Sequence, residues 1–215
     1  AVPSYTRDIV ELSPYELSTI QSCTIKEVIE KIKDFVEKKD AEWKGLPSEI
    51  GFLNTIKEDY RHRAKEYLNN INEFKALYSK PKFITSFIKI LMEGDISLSE
   101  LDVVNVFVIE LFNFFDGQGQ ADFYSEIYSI SNTYENYLRE EKSFKTVKIL
   151  EILAKLREFS ESVSDRELNV AEDWYMMSIN SVKGAVLSSY YYILLSKNSE
   201  EAILSQVVDL LKDSI

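Results

Sequence analysis

Three side chains on one predicted helix have the types and the spacing of a metal site. Glu58, His62 and Glu66 stand at i, i+4 and i+8, so they share one helix face, and His62 is the only histidine of the chain. A helical di-iron site needs two Glu-x-x-His motifs, and a catalytic zinc usually takes three protein ligands. Because charged neighbours at this spacing are routine, the pattern favours a solvated charged face. We predict no metal and no cofactor.

The residues for nucleophilic catalysis or nucleotide binding are also incomplete. Cys23 lies just before a predicted helix, where a thiol can be activated, but no second histidine is present as a base. Neither a G-x-S-x-G elbow nor a G-x-x-x-x-G-K-[ST] loop occurs. Gly117 and Gly119 lack a preceding strand and read as a turn. We therefore predict no catalytic residues in this chain, and a buried or incidental role for Cys23.

One short stretch is locally basic in an acidic chain. It holds Lys57, Arg61, Arg63 and Lys65, interleaved with Glu58, Asp59 and Glu66. The net field of the stretch is small, so a solvated helix face is favoured over an RNA or phosphate site. The whole chain carries a formal net charge of −11, which repels a phosphate backbone. We predict that nucleic acid is not a partner.

The number of cysteines and the hydropathy of the sequence indicate the cellular compartment. The lone Cys23 cannot form an internal disulfide, which fits a reducing compartment, and no signal peptide opens the chain. The most apolar run, 103–115, is interrupted by polar residues and is shorter than the ~20 residues that a membrane span requires. We predict a cytoplasmic protein without a membrane partner.

Helical periodicity dominates the elements that position these residues. From Ile25 to Val36 the apolar residues recur at helical spacing, and Thr24 with Glu27 forms a predicted capping box. Ser97 and Glu100 form another. Only 6 Gly and 4 Pro are present, too few for a turn-rich β fold. The sequence predicts an all-α antiparallel helical array of about nine helices, either an α-solenoid of the HEAT type or an irregular multi-helix bundle.

The segments between helices suggest the domain organisation. Residues 1–215 are expected to form a single helical domain, with two possible sub-bundles, 1–116 and 121–215, on either side of the glycine-containing break. The polar segment 161–166 is predicted as a loop, and one long helix is predicted from about 169 to 195. The chain begins with Ala1 and stops close to an amphipathic segment, so we expect a fragment of a larger protein.

The long predicted helix carries both candidate sites. Gly184 inside a helix costs about 1 kcal/mol relative to alanine, which a close helix crossing would justify. Buried Asn180 and Ser181 would need hydrogen-bond partners on a neighbouring backbone. We predict a structural joint between consecutive repeats and, further along, an aromatic interface anchor, because three successive tyrosines cannot all lie on one helix face. The joint comprises Asn180, Ser181, Lys183 and Gly184, and the interface comprises Tyr190, Tyr191 and Tyr192.

Three stretches of the chain resemble one protein family. Residues 172–187 (EDWYMMSINSVKGAVL) resemble the INSVRG-x-A helix of large bacterial antiviral NTPases of the STAND type and related proteins. Residues 12–17 (LSPYEL) resemble that family's LSPEEL opening, and residues 46–53 (LPSEIGFL) resemble its PSREGL segment. Their order and spacing agree over most of the chain. Lys183 departs from the pattern, since arginine is usual there and its bidentate geometry is lost.

Such NTPases join an N-terminal effector, a nucleotide-binding core and a C-terminal helical-repeat sensor. The resemblance implies that this chain is the sensor region, which recognises a phage or host protein. We predict a non-catalytic helical scaffold or sensor whose partners are proteins, including other domains of a larger chain. Two alternatives stay open: a stand-alone helical adaptor or homo-oligomer, and a small-ligand or metal-binding helical protein that uses the face of Glu58, His62 and Glu66.

Overall fold

The computed structural model describes residues 11–39, 41–140, 147–167, 181–196 and 201–212, and these ranges contain ten α-helices and two 3₁₀ helices. The α-helices are α1 (Leu17–Gln21), α2 (Ile25–Asp34), α3 (Ala41–Lys44), α4 (Glu49–Asn69), α5 (Pro81–Glu93), α6 (Leu98–Gln118), α7 (Tyr124–Arg139), α8 (Val147–Glu167), α9 (Val182–Leu195) and α10 (Glu201–Lys212). The 3₁₀ helices are Ile71–Leu77 and Gln120–Phe123. The predicted all-α fold is confirmed, and the described ranges contain no strand.

Local sequence signals start several of these helices. Both predicted capping boxes are present, because Thr24 and Ser97 accept hydrogen bonds from the third helical residue, whose glutamate side chain accepts one in return. Ser48 accepts a hydrogen bond from the Gly51 amide at the start of α4. Pro81 is the first residue of α5, where its missing N–H has no intrahelical partner to lose.

Two predicted connections are helical in the structure. The prediction of a loop at 161–166 is wrong, since α8 continues to Glu167. The segment is polar but contains neither glycine nor proline, so nothing in its backbone ends the helix. Similarly, α6 includes Gly117 and ends only at Gln118, followed by Gly119 with a φ of 106° that favours glycine.

The chain divides into two compact units, Ala1–Ile90 and Leu91–Ile215. The boundary lies toward the end of α5, whereas the sequence suggested a division near 117–120. Aromatic side chains fill the core of the N-terminal unit. The Phe74 and Phe87 rings stack with centroids 4.6 Å apart, and the Tyr60 and Tyr67 rings meet edge to face at 4.8 Å. These rings join α4, the first 3₁₀ helix and α5.

Helix α6 supplies much of the apolar core of the C-terminal unit. Apolar residues of α6 are buried on several sides, as its sequence predicts for a core helix: they are Leu101, Val104, Phe107, Val108, Leu111, Phe112 and Phe115. One polar pair lies among them. The Tyr134 hydroxyl of α7 donates a 2.7 Å hydrogen bond to Oδ1 of Asn105, and both residues are fully buried. This bond satisfies two polar groups that burial would otherwise penalise.

A short extended segment crosses the start of α4 in the N-terminal unit. The Ser48 amide donates a 2.9 Å hydrogen bond to the Leu12 carbonyl oxygen, and Ser48 also donates from its hydroxyl to the Glu11 carboxylate. The backbone at Leu12 lies so close to α4 that a Cβ on Gly51 would be 2.2 Å from the Leu12 carbonyl oxygen. Only glycine fits at this contact.

The contact at Gly51 yields a prediction about stability. Gly51→Ala should lower the free energy of unfolding by about 1–3 kcal/mol, because the Leu12 backbone must move to admit the methyl group. Gly117→Ala is the matched control, since its Cβ would meet no atom within 4 Å and alanine favours the helix. Urea unfolding followed by circular dichroism measures both. Equal free energies for Gly51→Ala and the wild type would contradict the described contact.

Candidate functional site

A buried ion pair lies inside the kinked helix α4. Asp59 is fully buried, and Arg63, one turn later, binds its carboxylate through Nε at 2.8 Å and Nη2 at 2.6 Å. Arg63 has non-helical dihedrals, with φ −121° and ψ 29°, so the helix bends at this residue. The Tyr67 hydroxyl donates a third hydrogen bond to Asp59.

The Arg63 guanidinium also binds two other elements of the N-terminal unit. Its Nη1 donates to the Cys23 carbonyl oxygen at 2.8 Å, and Nη2 donates to the Ile20 carbonyl oxygen at 3.2 Å. These carbonyls lie at the end of α1 and in the turn before α2, where carbonyl groups have no intrahelical N–H donor. One side chain therefore ties α1, the turn to α2 and α4 together. We call Asp59, Arg63 and Tyr67 the Asp59 cluster.

The electrostatics of the Asp59 cluster fit a structural role. The hydrogen bond with Asp59 raises the pKa of Arg63, and burial followed by the hydrogen bond with Asp59 raises the pKa of Tyr67 far above its usual value. Burial also raises the pKa of Tyr60, whose buried hydroxyl has no hydrogen-bond partner among the described residues. The cluster keeps its charges paired and the Tyr67 phenol neutral, and Asp59 has no exposed surface to offer a substrate.

The predicted charged face on α4 is present, and its members contact each other or the backbone. Arg61 binds the Glu58 carboxylate at 2.9 Å, and Arg63 lies 3.7 Å from the Glu66 carboxylate. His62 Nδ1 donates to the Glu58 carbonyl oxygen at 2.8 Å. Across the described residues, no three His, Cys, Asp or Glu side chains converge on a possible metal position. This arrangement is that of a charged helix face.

The predicted structural joint lies at the beginning of a helix. Ser181 has extended dihedrals, with φ −107° and ψ 161°, and its hydroxyl accepts a hydrogen bond from the Gly184 amide at 3.0 Å. The predicted continuous helix from 169 to 195 is therefore wrong at Ser181, because the serine satisfies a first-turn amide and starts α9. Lys183 is exposed and Gly184 half-buried. Asn180 lies outside the described residues.

The three successive tyrosines on α9 lie in different environments. Tyr190 is fully buried, Tyr191 has 58% of its surface exposed, and Tyr192 is half-buried. The rings of Tyr191 and Tyr192 meet edge to face, with centroids 5.9 Å apart. The prediction that at least one of the three lies off the buried stripe is confirmed by Tyr191. Their role as an interface stays a prediction.

Tyr191 belongs to an exposed apolar stripe that the sequence reading missed. Leu187 is 38% exposed and Leu195 is 60% exposed, and these residues stand at i, i+4 and i+8 with Tyr191 between them. Lys183 precedes them on the same face and is the only charged residue of α9. We call Leu187, Tyr191 and Leu195 the α9 face. A helix that is apolar on most sides is expected to be covered, so the sequence carried no signal that this face would stay exposed.

The opposite side of α9 packs against α7, α8 and α10. Val182, Ala185, Val186 and Ile193 are buried there, and the buried Ser189 hydroxyl donates to the Ala185 carbonyl oxygen at 2.7 Å. Burial raises the pKa of Tyr190 to about 12. The helix is therefore held by neighbours on one side, and its orientation fixes which residues form the α9 face.

Among the helices of the described ranges, none combines the length and the apolar character needed to cross a bilayer. Comparisons with family models, curated proteins and solved structures give no match to this chain. The function must therefore be argued from the two features just described, the Asp59 cluster and the α9 face.

The Asp59 cluster yields a prediction with an adjacent control. Asp59→Ala should lower the free energy of unfolding by about 3–5 kcal/mol, because it leaves Arg63 buried without its partner. Glu58→Ala removes the neighbouring carboxylate, which is half exposed and paired with Arg61, and should change stability by no more than about 1 kcal/mol. Chemical denaturation of both variants measures the difference. Similar losses in the two variants would contradict a structural role for the cluster.

Proposed function

We propose that this chain is a non-catalytic recognition domain that binds another protein through the α9 face. The observation that carries the proposal is the exposure of Leu187, Tyr191 and Leu195 on a helix whose opposite side is buried. Exposed apolar residues scattered singly need no explanation, but three on successive turns of one helix form a continuous strip. Such strips are typical of protein-interaction sites.

Residue type supports the same conclusion. Tyrosine is among the residues that most often carry interface energy, because it buries a large ring while losing little side-chain entropy. Leucine at the preceding and following turns provides flanking apolar surface. The spacing i, i+4, i+8 suits a partner element that lies along α9, such as an amphipathic helix. Lys183 at one end of the strip supplies a charge that can orient the partner.

We further propose that this recognition serves a bacterial antiviral NTPase, as the sensor region that receives a phage or host protein. The support is the resemblance of residues 12–17, 46–53 and 172–187 to that family. In this proposal, Ser181 and Gly184 of the third stretch set where α9 begins, and thereby how the α9 face is presented. The effector and nucleotide chemistry would belong to other domains of such a protein. The complete reading frame tests this point.

The alternatives predict different observations. A stand-alone adaptor would use the same α9 face, and a reading frame without an NTPase core would favour it. A metal- or ligand-binding protein would use the face of Glu58, His62 and Glu66, where Glu58 pairs with Arg61 and the His62 ring donates to the backbone. These contacts favour the recognition domain over the metal-binding protein.

Site-specific photo-crosslinking in the native host tests the proposal. A photoreactive phenylalanine at position 191 should give one discrete crosslinked protein, because Tyr191 lies at the centre of the α9 face. Adding Leu187→Asp and Leu195→Asp should reduce that product about 10-fold or more, since each charge would be buried without a partner in the complex. Mass spectrometry identifies and quantifies the product.

Val36→Asp is the matched control, because Val36 is an isolated apolar residue that is 81% exposed. It should leave the crosslinked product unchanged. The aspartate variants should keep the thermal midpoint of the wild type within a few degrees, as expected for exposed positions. Full crosslinking in the Leu187→Asp, Leu195→Asp variant would overturn the assignment of the α9 face.

A further inference from the structure

The exposed side chains of α9 follow a single row along the helix. Each stands four positions after the previous one, and they are Lys183, Leu187, Tyr191 and Leu195. Side chains at this spacing form a ridge that is inclined about 26° to the helix axis. A second helix that packs its own ridge of this kind beside it crosses the axis of α9 at about 50°. The row therefore favours one crossing helix over a coiled-coil partner, which needs apolar residues about every 3.5 positions.

The row next to the exposed one begins with small side chains. It is half-buried and consists of Gly184, Ser188 and Tyr192. The Tyr192 ring meets the Tyr191 ring with centroids 5.9 Å apart, so an aromatic pair lies beyond the two small residues. The row on the other flank is buried, with Val182, Val186 and Tyr190. Side chains of a crossing helix can therefore pack beside Gly184 and Ser188 but not on the other flank.

Lys183 is the charge that an occupant of this face has to match. Its side chain is exposed, and no hydrogen bond or ion pair involves it among the described residues. Helix α9 contains no acidic residue, so a second copy packed α9 against α9 would leave Lys183 without a countercharge. Ser188, near the middle of the helix, hydrogen-bonds to the Glu135 side chain of α7. An acidic residue of the occupant is therefore better placed beside Lys183 than beside Ser188.

The size of the α9 face also argues against a stable dimer of this chain. Its three partly exposed side chains offer roughly 300 Å² together, since even a large aromatic side chain buries only about 150–250 Å². Each partner in a standard stable interface buries about 800 Å². The α9 face alone thus suits one helix of another protein that binds weakly and reversibly.

Given recognition through the α9 face, on which this inference rests, we propose that the occupant is an amphipathic helix of another protein that runs in the opposite direction to α9. Near its C-terminal end this helix carries an acidic side chain that binds Lys183. The direction follows from the helix dipoles, because Lys183 lies at the N-terminal, positive end of α9, where the negative end of the occupant is favoured.

Photo-crosslinking of the full chain in its native host tests the direction of the occupant. A photoreactive phenylalanine at position 187 should attach closer to the C-terminus of the partner helix than one at position 195. Mass spectrometry of the crosslinked peptides gives this order. The attached segment should carry apolar residues three or four positions apart, and an Asp or Glu beyond the site reached from position 187.

Variants of Lys183 test the charge. Lys183→Glu should reduce the product obtained from position 191 about 3-fold or more, because the carboxylate of the occupant then meets a like charge. A glutamate is compatible with the first turn of a helix, so the fold should be retained. Lys183→Arg keeps the positive charge and should keep the product. Lys33→Glu is the matched control, since Lys33 is exposed on α2 and its reversal changes the net charge equally.

The possible failures are distinguishable. The opposite order of attachment, a segment without helical spacing of its apolar residues, or full product with Lys183→Glu would overturn this assignment of the partner and leave recognition through the α9 face intact. A product that joins two copies of this chain, or an equal loss with Lys33→Glu, would also overturn it. Full product from position 191 in the Leu187→Asp, Leu195→Asp variant would instead overturn the recognition proposal itself.

Discussion

A carboxylate without solvent contact is costly unless a cation or hydrogen bonds compensate it, and Arg63 provides that cation for Asp59. The pair also determines how neighbouring elements contact α4. Arg63 leaves the regular α-helical conformation, and its remaining donors bind the carbonyls of Ile20 and Cys23. The kink of α4, the end of α1 and the turn before α2 are thereby coupled. A buried pair of this kind contributes little net stability compared with apolar residues, so we interpret it as fixing one arrangement of these elements.

In the C-terminal unit the relevant balance is between apolar surface that is buried and apolar surface that stays exposed. Its buried polar groups are few and mostly paired, as Asn105 is with Tyr134. Helix α9 is apolar over most of its circumference, and among the described residues its neighbours α7, α8 and α10 lie on the side opposite the α9 face. Leu187, Tyr191 and Leu195 are exposed, so their apolar surface contributes less to folding than it would if it were buried. A surface with this composition is explained if a partner covers it, as the recognition proposal requires.

The features that were predicted correctly from the sequence depend on local interactions. The capping boxes at Thr24 and Ser97 and the start of α5 at Pro81 depend on residues within one turn, so they could be identified without the fold. The predictions of a loop at 161–166 and of an unbroken helix across Ser181 were wrong. Polarity indicates solvent exposure rather than a helix end, and a capping serine resembles any other serine within an apolar run. The Asp59 cluster was inaccessible to sequence reasoning, since Arg63 meets the Cys23 carbonyl only after the chain folds back. The α9 face required knowing which side of the helix its neighbours occupy.

Recognition through α9 requires that one face of this helix is uncovered in the isolated chain. Hydroxyl-radical footprinting of dilute protein, read residue by residue by mass spectrometry, measures this directly. Tyr191 should be oxidised rapidly together with Leu187 and Leu195, while the adjacent Tyr190 should be protected. Protection of Tyr191 to the level of Tyr190 at all protein concentrations would show that the chain itself covers this face, and would contradict the account.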